Sequence, residues 1–399
     1  MERRPMEGLP VVEAGAGFTF LSGIKVLDLT TSVAGPYASM LLSDFGAEII
    51  KVERPGGDDA RSWGPPFLEG ESLWFTAVNR NKKSIVLDLE EEKDRTILRG
   101  LAGQVDVVIT NQPPRAQTKL GLDYESFAKL RPDIIFTSIT GFGLSGERSD
   151  LTCYDLIAEG YSGIMDITGE ANGGPQKVGA PAADMLAGQD AAMATIAALF
   201  DRMRTGEGHL VDVSLVESMT RFLCCRVSPY LGAGEVPVRS GGTDSVIAIY
   251  QQFATSDLSL TLGLGNDGIW RRFWRAVGDS AFGERPEFRS NALRRECRSE
   301  IVAKIQAILL GNSRDHWLSL FASARVPAGP INTVEDVAAD RALLDRGLFF
   351  ALRDGARIVP QIGLGIRIDG KMAIPRSAPP RLGEHSHEYA AAGVAGQPA

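Results

Sequence analysis

The sequence is poor in the residues that disulfide-rich, metal-dependent and membrane proteins rely on. Only 4 cysteines occur in 399 residues. Cys224 and Cys225 are adjacent, and Cys153 and Cys297 stand alone. No CxxC pair exists, so neither a disulfide framework nor a thiolate metal site is expected. Histidine is equally scarce, at 4. His385 and His387 lie two apart without an HExxH pattern, so no metal is expected. No apolar run approaches the roughly 18 residues of a membrane span. Glu7 and Glu13 interrupt the N-terminus, so no secretory signal is read there. GxSxG and GxxxxGK[ST] are absent, which disfavours serine hydrolases and P-loop NTPases. Acidic residues outnumber basic ones, 50 to 42, for a net charge of −8. That balance argues against non-specific nucleic-acid binding. The expectation is a reduced, soluble, cytoplasmic protein with no nucleic-acid or membrane partner.

What is present is ordinary globular material, 44% hydrophobic and 23% charged. At roughly 100–200 residues per domain, the length admits two or three domains. Residues 1–22 lack periodicity and read as a loose arm. A rhythm then begins. Apolar runs at Lys25–Thr30, Glu48–Glu53, Ser84–Asp88, Asp106–Thr110 and Asp133–Ile139 read as strands. Helical stretches at Pro36–Phe45, Glu90–Ala102 and Tyr124–Leu130 fall between them. Alternation of this kind implies βαβ units and a parallel sheet buried on both faces. An Ala-rich helix over Met185–Thr205 stops at Gly206 and Gly208. His209–Ser214 reads as another strand and Leu215–Tyr230 as one helix. Gly-rich residues 232–245 mark a boundary. Leu258–Leu264, Ile269–Val277 and Glu300–Leu310 suggest a smaller α+β unit. A second hinge falls at Val326–Asn332. From residue 380 the chain reads as an extended segment lying on a neighbour.

Ligands of open parallel sheets sit beyond the carboxyl ends of the strands. One loop there, Gly141-Phe142-Gly143-Leu144-Ser145-Gly146, matches GxGxxG. It follows roughly the fifth strand, whereas the dinucleotide fingerprint belongs on the first, so NAD is not expected. The rival reading is a glycine turn that lets another backbone approach closely. Lys51, Arg54, Arg80, Lys82, Lys83, Arg115 and Lys119 gather near strand ends. Singly each reads as a solvated surface charge; as a group they could grip phosphates. Asp184 precedes the Ala-rich helix and, on pattern alone, is a helix N-cap, although Ala187 fills the capping-box position.

Several segments, taken together and in order, resemble the class III CoA-transferase family (CaiB/BaiF, or formyl-CoA/carnitine CoA-transferase type). They are GIKVLDLTTSVAGPYASMLLSDFGAEIIKVERPGGD, WFTAVNRNKKSIVLDL, YDLIAEGYSGIMDITGE, PQKVGAPAADMLAG, RTGEGHLVDVSLVES, VPAGPINTVEDV and LGEHS. The resemblance implies an α/β protein: a Rossmann-like, parallel-sheet, CoA-binding large domain plus a smaller α+β domain, in an interlocked homodimer. It divides the chain into an arm (1–22), the large domain (23–225), a linker and small domain (226–330), and a segment returning to the large domain (331–399). The active site would lie between the large domain of one chain and the small domain of the other.

It also implies an acyl-CoA:carboxylate CoA-transferase that takes an acyl-CoA donor and a small carboxylic-acid acceptor, with coenzyme A as the travelling group and no metal or NAD. Asp184 matches the nucleophile that carries CoA as an aspartyl thioester. A carboxylate near its reference pKa of about 3.9 would be ionised at neutral pH and need no general base. Val33 and Ala34 match contacts to CoA, and Arg54 a phosphate or adenine contact. Leu87, Asp88, Leu89 and Glu90 match a segment flanking the adenine. Asn111, Gln112 and Lys119 match nucleotide contacts, and Ile139, Thr140, Gly141 and Phe142 the pantetheine wall. Glycines of 140–146 or of Ser240–Thr243 would supply oxyanion donors. Val33, Glu90 and Thr140 depart from formyl-CoA-transferring relatives, which argues against formyl-CoA and oxalate. Tyr154-Asp155 stands where related racemases carry His-Asp, and a tyrosine replaces that base poorly. Racemisation and non-catalytic CoA binding remain the alternatives. Tyr250 is either a wall of the site or core. Arg221, Arg226 and Arg239 are candidate clamps for the acceptor.

Overall fold

Apolar runs in the first half of the chain become a 6-stranded parallel sheet. Its strands are β1 (Lys25–Leu29), β2 (Glu48–Glu53), β3 (Lys82–Val86), β4 (Val107–Thr110), β5 (Ile135–Thr140) and β6 (His209–Ser214). The computed structural model describes residues 5–15 and 17–389. In these labels the strand order is 3-2-1-4-5-6, that of doubly wound nucleotide-binding sheets, with the crevice between β1 and β4. Every residue of β4 and β5 is buried, as a parallel sheet covered on both faces requires. Leu27, Ile50, Ile85, Val108 and Phe136 pack on one side with Leu98, Leu101 and Phe127 from helices Glu92–Ala102 and Tyr124–Leu130.

Among the remaining helices, α1 (Ala34–Asp44) follows β1, and α2 (Asp155–Ser162), α3 (Ala182–Thr205) and α4 (Leu215–Phe222) follow in chain order. The Ala-rich face of α3 buries Ala183, Ala187, Gly188, Ala191 and Ala192. Small residues let α3 cross α1 closely. A Cβ on Gly188 would stand 2.6 Å from the Ala34 carbonyl oxygen, so only glycine fits that crossing.

The chain forms two compact units. The first comprises the residues up to Ile164, Lys177–Cys225 and those from Ala338 onward; the second comprises Met165–Gln176 and Arg226–Val337. The second holds an antiparallel sheet of β7 (Tyr250–Phe253), β8 (Leu260–Gly263) and β9 (Ala328–Pro330). Its core is aromatic: Trp270, Phe273, Trp274, Phe288, Trp317 and Phe321 pack with Ile301, Ile305 and Leu309. Helix Asp267–Ala276 starts where Asn266 accepts a 2.9 Å hydrogen bond from the Ile269 N–H.

Several expectations are corrected. Residues 5–15 and 17–22 are no loose arm: Val11–Glu13 pairs in parallel with strand Phe349–Asp354, and Phe18 is buried. That partner lies more than 300 residues away, beyond any local pattern. Strand β3 begins two residues before the expected Ser84, because Lys82 is buried with a counter-ion. Leu215–Tyr230 is two helices, α4 and Cys224–Ala233, parted at Leu223. The C-terminal segment, described to Tyr389, docks on its own sheet. Ser84 O accepts from the His385 N–H at 2.9 Å, and the Val86 N–H donates to Ser386 Oγ at 3.0 Å. It thereby covers the otherwise open edge of β3. Residues 390–399 of the expected tail lie outside the described residues.

Candidate active site

The loops after β1, β2, β3, β4 and β5 carry the residues singled out as CoA contacts. Val33 precedes α1 and Ala34 opens it. Arg54 follows β2 and is exposed, paired with Asp59. Leu87, Asp88, Leu89 and Glu90 follow β3; the Leu87 side chain belongs to the core, whereas Glu90 is exposed. Asn111 and Gln112 follow β4, and Lys119 lies exposed in helix Pro114–Leu120. Ile139 and Thr140 end β5, leading to Gly141 and Phe142. At the crevice between β1 and β4, the Asn111 amide bridges the two loops. Its Oδ1 accepts from the Thr31 N–H at 3.1 Å, and its Nδ2 donates to Thr31 O at 2.8 Å.

Beneath this edge lies a buried ionic network. The Asp28 carboxylate accepts from Thr30 Oγ1 at 2.5 Å, Ser39 Oγ at 2.6 Å and Lys82 Nζ at 3.1 Å. Burial pushes that carboxyl up, but Lys82, Lys51 and the two hydroxyls outweigh it and bring it down to about 2. Burial brings Lys82 down to about 8. Lys51 donates to Thr30 O at 2.7 Å and pairs with Asp58 at 2.8 Å. Arg80 pairs with Asp44 at 2.6 Å. Lys51, Arg80 and Lys82 are therefore neither solvated charges nor free phosphate ligands. Lys51 ties down the loops after β1 and β2, Lys82 holds the start of α1, and Arg80 joins the end of α1 to strand Arg357–Ile362, uses in which buried ion pairs specify geometry more than they add stability. Arg54, Arg115 and Lys119 remain exposed.

The GxGxxG loop does not open a helix, because the next one, α2, begins at Asp155. The Gly143 N–H donates to Thr140 Oγ1 at 2.9 Å, and the Leu144 N–H to Asp212 Oδ2 at 3.0 Å. Those two donors are therefore already engaged rather than aimed at a pyrophosphate or an oxyanion. Gly141 serves the close approach instead: a Cβ there would sit 2.1 Å from Cys153 Cβ. It seats the Cys153–Asp155 segment against the end of β5.

That segment leads to Asp184. The expected N-cap role is not what the structure shows: Pro181 is the N-cap, and Asp184 lies inside the first turn of α3. The free N–H groups of that turn are served by Asp155, whose Oδ1 accepts from Ala183 N at 2.8 Å and Asp184 N at 3.3 Å. No hydrogen bond or ion pair holds the Asp184 carboxyl among the described residues. Asp184 is half-buried, one helical turn, about 6 Å along the axis, before the Gly188 crossing with Ala34. Burial first, and the Asp155 charge second, lift its carboxyl to about 7. The freely ionised carboxylate expected from its reference value is thus corrected to one half-protonated at neutral pH. Burial, with Asp184 and Asp155, lifts the neighbouring Cys153 thiol to about 11, so this thiol stays protonated and is no rival nucleophile. Neither Cys153 nor Gly188 carried a sequence signal. Asp155 did, but only through its place after Tyr154.

The second unit contains a cavity of about 750 Å³, lined among others by Arg226, Ser240–Ser245, Tyr250, Gln251 and Gln252. Tyr250 thus lines this cavity and is not core. Arg226 reaches Asp244 at 2.8 Å and Ser245 Oγ at 3.0 Å. Arg239 pairs with Asp166 at 3.0 Å, and Arg221 with Asp190.

The family model of CoA-transferase family III matches residues 21–386. The chain belongs to CoA-transferase family III. This family III enzyme is 38% identical over 379 residues to the succinate–glutarate CoA-transferase of Agrobacterium fabrum, covering 93% of this chain and 95% of that protein. It is 35% identical to the succinyl-CoA:mesaconate CoA-transferase of Haloarcula marismortui, covering 92% and 95% of the two chains. Among solved structures, a CaiB/BaiF family protein from Brucella suis superposes with a TM-score of 0.83 at 37% identity, covering 94% of this chain and all of that one.

Proposed function

We propose that this family III CoA-transferase moves CoA from an acyl-CoA to a dicarboxylic acid through a thioester on Asp184. The observation that carries the reading is the Asp184 carboxyl: half-buried, held by no partner among the described residues, and at the N-terminal end of a helix that crosses the start of α1. A carboxylate needs little activation toward a thioester, and removing it from water sharpens its nucleophilicity. Its oxygen attacks the donor carbonyl, the C–S bond breaks, and an acyl–aspartyl anhydride and CoA thiolate result. The thiolate attacks the aspartyl carbonyl and releases the donor acid. The acceptor carboxylate then attacks the aspartyl thioester and expels the thiolate, which takes the acceptor acyl group and frees Asp184. Each step exchanges groups of similar reactivity, so the sequence balances without another co-reactant.

The loops after β1 to β5 are read as the CoA surface. Val33, Ala34, Asn111, Gln112 and Ile139 to Phe142 flank the crevice, while the exposed cations Arg54 and Lys119 suit its phosphates. Dicarboxylates are chosen because the relatives' names specify succinate, glutarate and mesaconate. We read the assembly as a homodimer, interlocked as the resemblance implies, working in the cytoplasm. Met193, Phe200 and Met203 on α3 are 61%, 63% and 83% exposed, an apolar face suited to a second copy.

The test uses succinyl-CoA labelled in the CoA moiety. Incubated with enzyme and digested, the peptide bearing Asp184 should carry the label in wild type and not in Asp184→Asn. Label on glutaryl-CoA with none ever on that peptide refutes the covalent route. Sedimentation of a monomer at micromolar concentration refutes the dimer.

A further inference from the structure

Helix α2 places Asp155 and Glu159 four residues apart, on one face. Glu159 is fully buried. One of its oxygens, Oε2, accepts from the Val178 N–H at 2.8 Å. The other, Oε1, is buried and has no hydrogen-bond partner. Such an orphan is costly, and the Asp155 carboxyl, one helical turn back on the same face, is near enough that its charge and its hydrogen-bonding capacity both raise the Glu159 carboxyl. Two carboxylates have no hydrogen to share. A single proton resolves the contact, giving Asp155 a donor and leaving no buried oxygen unsatisfied.

We infer that Glu159 is a positioning residue that stays protonated in the working enzyme and donates its O–H to Asp155, so that Asp155 is held with its other oxygen on the first turn of α3 beneath Asp184. The inference rests on the reading of Asp184 as nucleophile and goes one layer deeper. Like charges this close cannot all ionise. The surrounding groups agree in direction. Burial raises the Glu159 carboxyl and Asp155 raises it further, against the Val178 N–H and the Lys177 ammonium, which favour its ionised form. From α3, Asp184 adds a carboxyl whose own value Asp155 raises. The Cys153 thiol, also near Asp155 and Asp184, stays neutral. Protonated Glu159 keeps the cluster from carrying a third negative charge, and its hydrogen bond draws on the Asp155 charge that Asp184 feels.

Glu159→Gln tests this, because an amide keeps both a donor for Asp155 and an acceptor for Val178. Infrared difference spectra between Asp184→Asn and Asp184→Asn/Glu159→Gln, recorded near pH 8, should show the C=O stretch of one protonated carboxylic acid lost with Glu159, downshifted in deuterium oxide. An unchanged acid band, or loss of a carboxylate band instead, overturns the inference. In the background that retains Asp184, Glu159→Gln should leave the pH profile of kcat/KM for succinyl-CoA superimposable on wild type. Glu159→Met, which offers Asp155 no donor, should move the acidic midpoint upward. A Glu159→Met enzyme that is only less heat-stable, with its midpoint unmoved, assigns Glu159 a merely structural role and also overturns the inference. The infrared result reads the Glu159 proton whether or not CoA is ever found on Asp184, so the two readings fail separately.

Discussion

Replacing Asp155 by asparagine tests the electrostatics of Asp184, the proposed nucleophile, directly. Asp184 stands at about 7 against an ordinary 3.8, a displacement on the order of 4 kcal/mol. Burial is the larger cause and the Asp155 charge the smaller. The side-chain amide introduced by Asp155→Asn would keep an oxygen for the N–H groups of Ala183 and Asp184, so the start of α3 survives while the like charge goes. The Asp184 midpoint should then fall, yet stay above 3.8 because burial is untouched. If Asp155 accounts for about one pH unit, the ionised fraction at pH 6 rises from ~10% to ~50%, about fivefold, whereas at pH 9 it barely changes. The assay is kcat/KM for CoA transfer from succinyl-CoA to glutarate across pH 5–9 (a range chosen to bracket that midpoint, about 7). Comparing the ratio of pH 6 to pH 9 within each enzyme cancels any uniform loss caused by the substitution. A variant whose acidic limb stays in place, or moves to higher pH, refutes the argument that Asp155 charge holds Asp184 up.

Three further outcomes follow from the same geometry. Because the folded midpoint of Asp184 lies above its unfolded one, the fold prefers the protonated acid; that stability is full below about pH 4 and is lost as pH rises through about 7. Asp184→Asn should therefore melt several degrees above wild type at pH 8, for a gain of a few kcal/mol, and lose that advantage near pH 4; equal melting curves at pH 8 contradict the shift. Asp28 has the opposite sign: its folded value, about 2, lies below 3.8, so about 2 kcal/mol is present above pH 4 and lost as pH falls to 2. Asp28→Ala should cost ~3–5 kcal/mol at pH 7 in denaturant unfolding, since it strands buried Lys82 without its counter-ion, and a cost near zero would show that the pair is dispensable. Gly188→Val puts a Cβ into the Ala34 carbonyl, so it should cost ~1–3 kcal/mol or more and depress CoA transfer by displacing Asp184; an unaffected enzyme would show that α1 and α3 can separate freely.

Much of the large sheet was legible because its strands are buried on both faces and read as apolar β-branched runs. Glu48–Glu53, buried from Ile49 onward, coincides with its strand to the residue, and so does the edge strand His209–Ser214, which is only half-buried. The reading slipped where a polar residue is buried for a non-local reason. Lys82 lies inside β3 because Asp28, far off in the chain, neutralises it. The N-terminal segment looked unstructured because its partner strand is Phe349–Asp354. The helical pattern past α4 runs on without a visible break, yet the helix stops at Leu223. Asp184 was found by the segment around it; by pattern alone it was a helix cap.

The order of apolar runs along the chain thus determined an α/β protein with a parallel sheet, and the residues at its strand ends marked where a ligand belongs. Asp184 was singled out by its segment, but its charge state was decided only by the tertiary structure. Charge state depends on burial and on neighbours at a few ångströms, and those neighbours come from separate helices. Asp184 reaches about 7 through burial first and, second, through the Asp155 charge that α2 carries to the start of α3; Gly141 lets the segment before α2 approach β5, and Gly188 lets α3 approach α1, where the backbones come too close for a side chain.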